Sequence, residues 1–352
     1  MMLGLSVMLL VNSALADERV VTPRPVPATR PEMKQLLEDM KSRKLRIPLP
    51  ELTEEQKVEL GERGGSYESR LRFHYLPPGE GSVFGGGGSR PAQAAGTTPP
   101  AARDFTRNAD ENMTLSYPFK TRLFWIVSRT NNCQYCLGHQ EQKLSAAGML
   151  EEEIAALDSD WGRFPPEEQA AFAYARKLTY EPNRLADADI IALREHYTDL
   201  QILEMTLSVA GNNAINRWKE GSGVPQSRDG SSFFRRAQAD IPADRPVPNE
   251  SFLTPTPTAF ASAITKVAPL EIDLKTGQPT RMGISTRPVL ESRSEVEAVL
   301  AIARKRTPRL PVLSEEAART ALGDSAPAGP LPAWIRLMAN FPRESRGRLS
   351  SL

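Results

Sequence analysis

The sequence predicts an all-α protein, a compact helical bundle joined by disordered Pro/Gly-rich linkers and followed by a partial second helical unit. Three observations predict it. Apolar residues recur at helical spacing, with Leu123, Ile126, Val127 and the half-apolar Thr130 in one run and Ala171, Tyr174, Ala175 and Leu178 in another. The chain's two cysteines, Cys133 and Cys136, lie within that periodicity, with no strand–helix–strand pattern around them, which argues against a thioredoxin fold. A segment from about Thr198 to Trp218 is apolar nearly all round, through Ile202, Leu203, Met205, Leu207, Val209 and Ala210, which marks a buried helix.

In chain order, residues 1–16 hold an apolar stretch, Leu3 to Val11, and end in Ser13-Ala14-Leu15-Ala16, a small-residue cleavage pattern, so they form a candidate signal peptide. No Lys or Arg precedes that stretch, and it is too short to span a membrane as a finished helix. The chain is expected to be periplasmic or secreted if this segment is removed, and cytoplasmic otherwise. Residues 30–78 read as a helical lead-in. Residues 79–114, with Gly85-Gly86-Gly87-Gly88, hold few core-forming residues and read as a flexible insertion.

Residues 115–225 read as a domain of about five helices. Phe119 to Thr130 forms one. The cysteines start the next, in which Leu144 and Ala147 continue the spacing and Gly148 is the stop. Pro165-Pro166-Glu167-Glu168 opens a third, with acidic residues in its first turn. Ile190, Leu193 and Tyr197 mark a fourth, and the buried helix from Thr198 is the fifth.

Residues 226–270, rich in Pro, Ser and Asp, read as a linker, and residues 290–352 as a partial repeat of the lead-in. Arg30-Pro31-Glu32-Met33 through Ile47-Pro48 aligns without gaps to Arg293-Ser294-Glu295-Val296 through Leu310-Pro311. Leu52-Thr53-Glu54-Glu55 then matches Leu313-Ser314-Glu315-Glu316, so each copy predicts a helix, an extended Arg-x-Pro stretch and a capped second helix. Trp334 and Phe341 follow the second copy, which carries no cysteine and is read as a packing arm.

With 352 residues, 25% charged and 40% hydrophobic, the composition fits a soluble chain with one full domain and long flanks. The formal net charge is +1 and no basic stripe is interleaved with aromatics, so nucleic-acid binding has no support.

Random placement would set two cysteines three apart in roughly one such chain in two hundred, so the pair is read as the chemical centre. Positions i and i+3 share a helix face, which lets Cys133 and Cys136 close a reversible disulfide and puts His139 one turn further along. A helix N-terminus and a nearby imidazolium both lower a thiol pKa, and the expectation is a redox dithiol. Two blander readings compete: buried structural thiols, and a metal site that these three side chains would leave one ligand short for zinc. His196 is read as a surface or capping residue, His74 as a loop residue, and Phe124 and Trp125 as core.

The run Asn132-Cys133-Gln134-Tyr135-Cys136 with His139, the later Leu193-Arg194-Glu195-His196-Tyr197 and the ending Asn213-Ala214-Ile215-Asn216-Arg217-Trp218 resemble the carboxymuconolactone decarboxylase family, in its alkylhydroperoxidase D-like branch. The resemblance covers residues 115–225. It implies an all-α peroxidase-type domain, homo-oligomeric, with no metal or flavin cofactor. It also implies that Cys136 is the peroxidatic cysteine, oxidised to a sulfenic acid by a small hydroperoxide, and that Cys133 resolves it to a disulfide. A dithiol reductant or thioredoxin-like protein then restores the pair.

Two positions depart from that pattern. The family's histidine stands four residues after the second cysteine, where this chain has Gln140; His139 is expected to act as proton relay from the neighbouring flank, about 100° around the helix. The family's glutamate, about twelve residues before the first cysteine, is replaced by Thr121, leaving Glu141 or Glu204 as substitute acids. The function expected is a thiol-dependent peroxidase. The alternatives are a catalytically weak or vestigial scaffold, and a decarboxylase-like enzyme acting on a small lactone, which would need no dithiol.

Overall fold

The computed structural model describes residues 25–60, 110–226, 251–272, 279–281 and 292–349. The candidate signal peptide, His74 and most of the glycine-rich insertion lie outside the described residues.

The fold is all-helical around one bundle. Helix α1 (Arg30–Asp39) begins with the Glu32 carboxylate accepting from the backbone N–H groups of Ala28 and Thr29, at 2.7 and 3.2 Å, which satisfies donors that a helix start leaves open. A short helix α2 (Glu54–Leu60) follows. The bundle proper is α3 (Tyr117–Thr130), α4 (Gln134–Ala146), α5 (Glu151–Ser159), α6 (Pro166–Tyr180), α7 (Asp187–Arg194) and α8 (Asp199–Ser222). It therefore has six helices rather than five. The addition is α5, whose nine residues include three glutamates in the first turn and whose buried apolar residues are Ile154, Ala155, Ala156 and Leu157.

Helix α3 is the axis of the core. Leu123, Trp125, Ile126 and Val127 on it are fully buried, and it packs against α4, α6 and α8. Burying each such side chain contributes on the order of 2 kcal/mol. Helix α8 starts at a Thr198 cap, whose hydroxyl accepts from Gln201 N–H, and stops at Gly223, which takes φ = +71°. It is not apolar all round: Glu204, Asn212, Asn213, Asn216 and Lys219 on it are all buried.

The lead-in helix belongs to the same core. Met33 and Leu37 of α1 are fully buried in the main cluster. The Arg30 guanidinium forms paired bonds with Glu141 (3.1 and 2.9 Å) and with Glu151 (2.7 and 2.7 Å), tying α1 to α4 and α5. The buried Arg129 side chain bonds both Asp158 oxygens, at 2.9 and 3.0 Å, and the Pro27 carbonyl at 2.9 Å.

The linker expected over 226–270 is corrected for residues 251–268, which form a strap packed on the bundle. Phe252, Phe260, Val267 and Ala268 are buried. Phe252 N–H donates to Glu38 at 2.9 Å, Thr265 N–H to the Ala28 carbonyl at 2.9 Å and Lys266 N–H to the Asp158 carbonyl at 2.8 Å. The strap includes a one-turn helix, α9 (Thr258–Ala261). Isolated apolar anchors and backbone bonds hold it, which is why its Pro- and Ser-rich composition reads as linker.

After a short antiparallel pair, β1 (Leu270–Ile272) and β2 (Pro279–Arg281), come α10 (Arg293–Ala303), α11 (Glu315–Leu322), α12 (Ala333–Met338) and α13 (Pro342–Leu349). Ala318, Leu322, Leu331, Ile335 and Ala339 make a small core of their own. Phe341, fully buried against Met113 and Leu203, joins it to the bundle. Both repeat copies consist of helix, extended stretch and helix. Their environments differ, since α10 has no buried residue where α1 has four.

Candidate functional site

The chain reaches the thiols through a tight turn. Helix α3 ends at Thr130, and Asn132 takes φ = +53°, a left-handed conformation that Asn tolerates better than most side-chain-bearing residues. Its amide donates to the Pro25 carbonyl at 3.2 Å and accepts from Gln134 at 2.7 Å. Cys133 N–H then returns to the Ser128 carbonyl at 2.9 Å, and Cys133 becomes the N-cap of α4.

Cys133 and Cys136 come together as free thiols, 0% and 2% exposed. They sit in a cluster with Met40, Tyr135, Ile215 and Val224, with Phe124 and Trp218 against it. Burial pushes the Cys136 thiol well above its ordinary value, and the hydrogen bond and charge coupling to Cys133 push the same way. Lys219 and a hydrogen bond from Asn216 pull it back down. The expectation of a lowered thiol is thus corrected: the Cys136 thiol is raised, with burial the largest cause.

Lys219 and Asn216 are the residues that sequence reasoning missed. Lys219 is 3% exposed, and its Nζ lies 4.4 Å from the ring centroids of both Tyr135 and Trp218. The Asn216 side chain accepts from Asn131 at 2.9 Å and donates to Ser128 Oγ at 3.3 Å. Asn131 also donates to Asn213, at 2.8 Å, and Asn213 donates to Thr179 Oγ1 at 3.1 Å. The signal was the spacing: Asn213, Asn216 and Lys219 form a polar stripe along a largely apolar helix.

His139 is half-buried and stacks on Tyr135, with ring centroids 4.9 Å apart. Gln140 is buried and its amide donates to the Cys136 carbonyl at 3.3 Å. Thr121 Oγ1 donates to the Tyr117 carbonyl at 2.9 Å, a bond within its own helix. Both substitute acids are engaged in hydrogen bonds. Glu141 is held by Arg30 and by Trp125 Nε1 at 2.5 Å, and Glu204 accepts from Thr114 N–H, Leu115 N–H and Lys120 Nζ at 2.8, 3.0 and 2.7 Å. His196 is exposed.

The strap and the end of α8 cover the thiol helix. Gln226 Nε2 donates to the Gln134 and Tyr135 carbonyls at 3.1 and 2.7 Å, and Gln226 N–H to the Met40 carbonyl at 3.1 Å. Gly138 makes this approach possible, because a methyl group there would collide with the Gln226 amide and touch the Phe252 ring. A separate groove of about 710 Å³, lined by Pro118, Arg122, Met149, Phe164 and Glu168 among others, shares no residue with the thiol cluster. Among the described residues no group of three or more His, Cys, Asp and Glu side chains is arranged to hold a metal ion, and no helix is long and apolar enough to cross a membrane.

No protein-family profile matches the chain, and no curated protein does. Among solved structures, the chain is similar to an uncharacterized peroxidase-related protein from Silicibacter sp. TM1040, at a TM-score of 0.30 and 19% identity. The match covers 32% of this chain and spans 60% of the length of that one.

Proposed function

We propose that this protein is a thiol-dependent peroxidase that reduces small hydroperoxides through a Cys133/Cys136 dithiol–disulfide cycle. One observation carries the reading: the chain's only two cysteines are both free and hydrogen-bonded to each other at the start of one helix, beside a buried lysine. In the cycle the Cys136 thiolate attacks one peroxide oxygen, the S–O bond forms as the O–O bond breaks, and the departing alkoxide takes a proton to leave as alcohol. The Cys133 thiol then attacks the sulfenic acid, releasing water and forming the disulfide. A dithiol reductant or thioredoxin-like protein exchanges with that disulfide and is itself oxidised. His139, half-exposed beside Tyr135, serves as the proton relay between the site and solvent.

Burial of both thiols favours a second reading, a scaffold in which the pair is structural. Counting free thiols in the denatured protein before and after one equivalent of hydroperoxide separates the two. The peroxidase reading expects both thiols to disappear together, and Cys133→Ser to leave a sulfenic acid on Cys136 that dimedone traps. Retention of both thiols after prolonged exposure rejects it in favour of the scaffold.

A further inference from the structure

We propose that the basic segment after α1, residues 41–46, is the docking surface for the dithiol protein that reduces the Cys133–Cys136 disulfide, and that this partner meets it with an acidic face. The proposal rests on the peroxidase reading and adds the charge of its reductant and the place where that reductant lands.

Four of the six residues in Lys41-Ser42-Arg43-Lys44-Leu45-Arg46 are cationic, in a chain whose formal net charge is only +1. The segment starts at the thiol pocket. Met40, just before it, packs in the cluster of Cys133 and Cys136, and its carbonyl accepts from Arg43 N–H at 3.3 Å and from Gln226 N–H at 3.1 Å. From there the segment crosses the last turn of α8. Arg46 N–H donates to the Ser222 carbonyl at 3.1 Å, and the Arg46 side chain lies so close over Gly223 that a Cβ there would collide with its Cγ. Val224, the next residue, is back in the thiol cluster.

The surface beside the pocket has the make-up of a protein interface, in which apolar contacts sit within a charged rim. Leu45 and Ile47 are 41% and 48% exposed. Lys44 is exposed and, among the described residues, pairs with no carboxylate. Arg217, exposed one turn before Glu220 on the same face of α8, adds a further cation. Among the described residues, the carboxylates paired with the segment are Glu38, which takes Lys41 at 2.6 Å, and Glu220, which takes Arg43 at 3.2 Å. Positive charge is left over, and it attracts a partner of the opposite sign.

The same contacts give that partner a way to sulfurs that are buried. Arg43 bonds the Glu220 carboxylate and Arg46 bonds the Glu220 carbonyl at 2.6 Å, which fastens the segment to α8 at the edge of the pocket. Partner carboxylates that take over these guanidiniums loosen the fastening as the complex forms.

The exchange balances. One partner thiol gives up its proton and attacks a sulfur of the disulfide, forming a mixed disulfide and freeing the other cysteine, which takes up a proton. The second partner thiol gives up its proton and attacks the partner's own sulfur in the mixed disulfide, freeing the remaining cysteine, which is protonated in turn. Two electrons and two protons pass to Cys133 and Cys136, and the partner leaves as a disulfide.

The test oxidises the full chain with diamide and measures the rate of disulfide reduction by two reductants, a thioredoxin of net negative charge and the small neutral dithiol dithiothreitol. Lys44→Glu is expected to slow the thioredoxin about fivefold at low ionic strength and to leave the dithiothreitol rate within about twofold. Raising salt to about 0.5 M should remove the difference. A thioredoxin rate unchanged by Lys44→Glu overturns the proposal, as does an equal fall with dithiothreitol or a disulfide that dithiothreitol reduces and the thioredoxin does not. If circular dichroism shows Lys44→Glu unfolded, the wild type decides: its thioredoxin rate falls with salt while its dithiothreitol rate does not, and a flat thioredoxin rate overturns the proposal. Binding to phosphatidylglycerol vesicles that Lys44→Glu abolishes, with the thioredoxin rate unchanged, assigns the surface to an anionic membrane instead. Diamide makes the disulfide without hydroperoxide. If the wild type consumes no hydroperoxide while Lys44→Glu still slows the thioredoxin, the peroxidase reading fails and the docking surface stands.

Discussion

Glu151 shows what a single side chain decides here. Burial pushes its carboxyl upward, but the hydrogen bond and charge of Arg30, joined by Lys34, outweigh burial and hold it below the usual carboxylate range. A group lowered in the folded state stabilises the fold fully above its unfolded pKa, and that contribution is lost as pH falls through the folded value. Glu151→Gln should therefore destabilise the protein by about 2 kcal/mol near neutral pH, and the gap from wild type should close toward the acid side of carboxylate titration. Urea unfolding at several pH values checks this, and a gap that stays constant with pH would contradict it. At this scale the placement of Cys133 and Cys136 at a helix start, with His139 on the same helix, was legible from local spacing. Lys219 was not, since its importance lies in being buried against Tyr135, 84 positions earlier in the chain, and register on one helix does not reveal what faces it. Glu141 and Glu204 were legible as acids and not as structural anchors, because Arg30 and Thr114 reach them from distant segments.

The helices were readable where periodicity and caps coincide, as in α3, α6 and α8. The strap was not, because Phe252, Phe260 and Val267 have no period and bind as separate anchors. The repeat shows the same limit from the other side. Its pattern predicts two helices with matching stripes, yet Met33 and Leu37 are fully buried in α1 while Val296 and Leu300 of α10 are 42% and 48% exposed. A stripe states that a helix has an apolar face, and a neighbouring element must supply the cover. Gly138 lets the residues after α8 close over the helix that carries the thiols. Ala is the better helix former by about 1 kcal/mol, but in Gly138→Ala the added methyl displaces the Gln226 amide and breaks its two bonds to α4, at about 1 kcal/mol each. The expected outcome is a slightly less stable protein whose thiols are alkylated several-fold faster under native conditions. An unchanged alkylation rate would show that the Gln226 contact does not guard the pair.

On the scale of the molecule, the bundle, α1 and the strap form one body around α3, and the C-terminal arm is attached mainly through Phe341 and polar contacts such as Arg309 with Asp187. Phe341→Ala should cost about 3 kcal/mol in the unfolding transition that includes the arm. Thiol alkylation should stay within twofold of wild type, and a large change would mean that the arm shapes the site. The all-α class was legible from composition and period, whereas the joining of distant segments was not, since 251–268 carries no signal of what it covers. That joining also sets a schedule. Val224, packed in the thiol cluster, leaves the ribosome about 88 residues after Cys136, which at typical synthesis rates is a delay of roughly 4–18 s. During that interval the nascent chain carries both thiols before the segment that covers them exists. The thiol pair is made open to whatever oxidant or reductant surrounds the growing chain, and acquires its cover only as the end of α8 and the residues after it emerge.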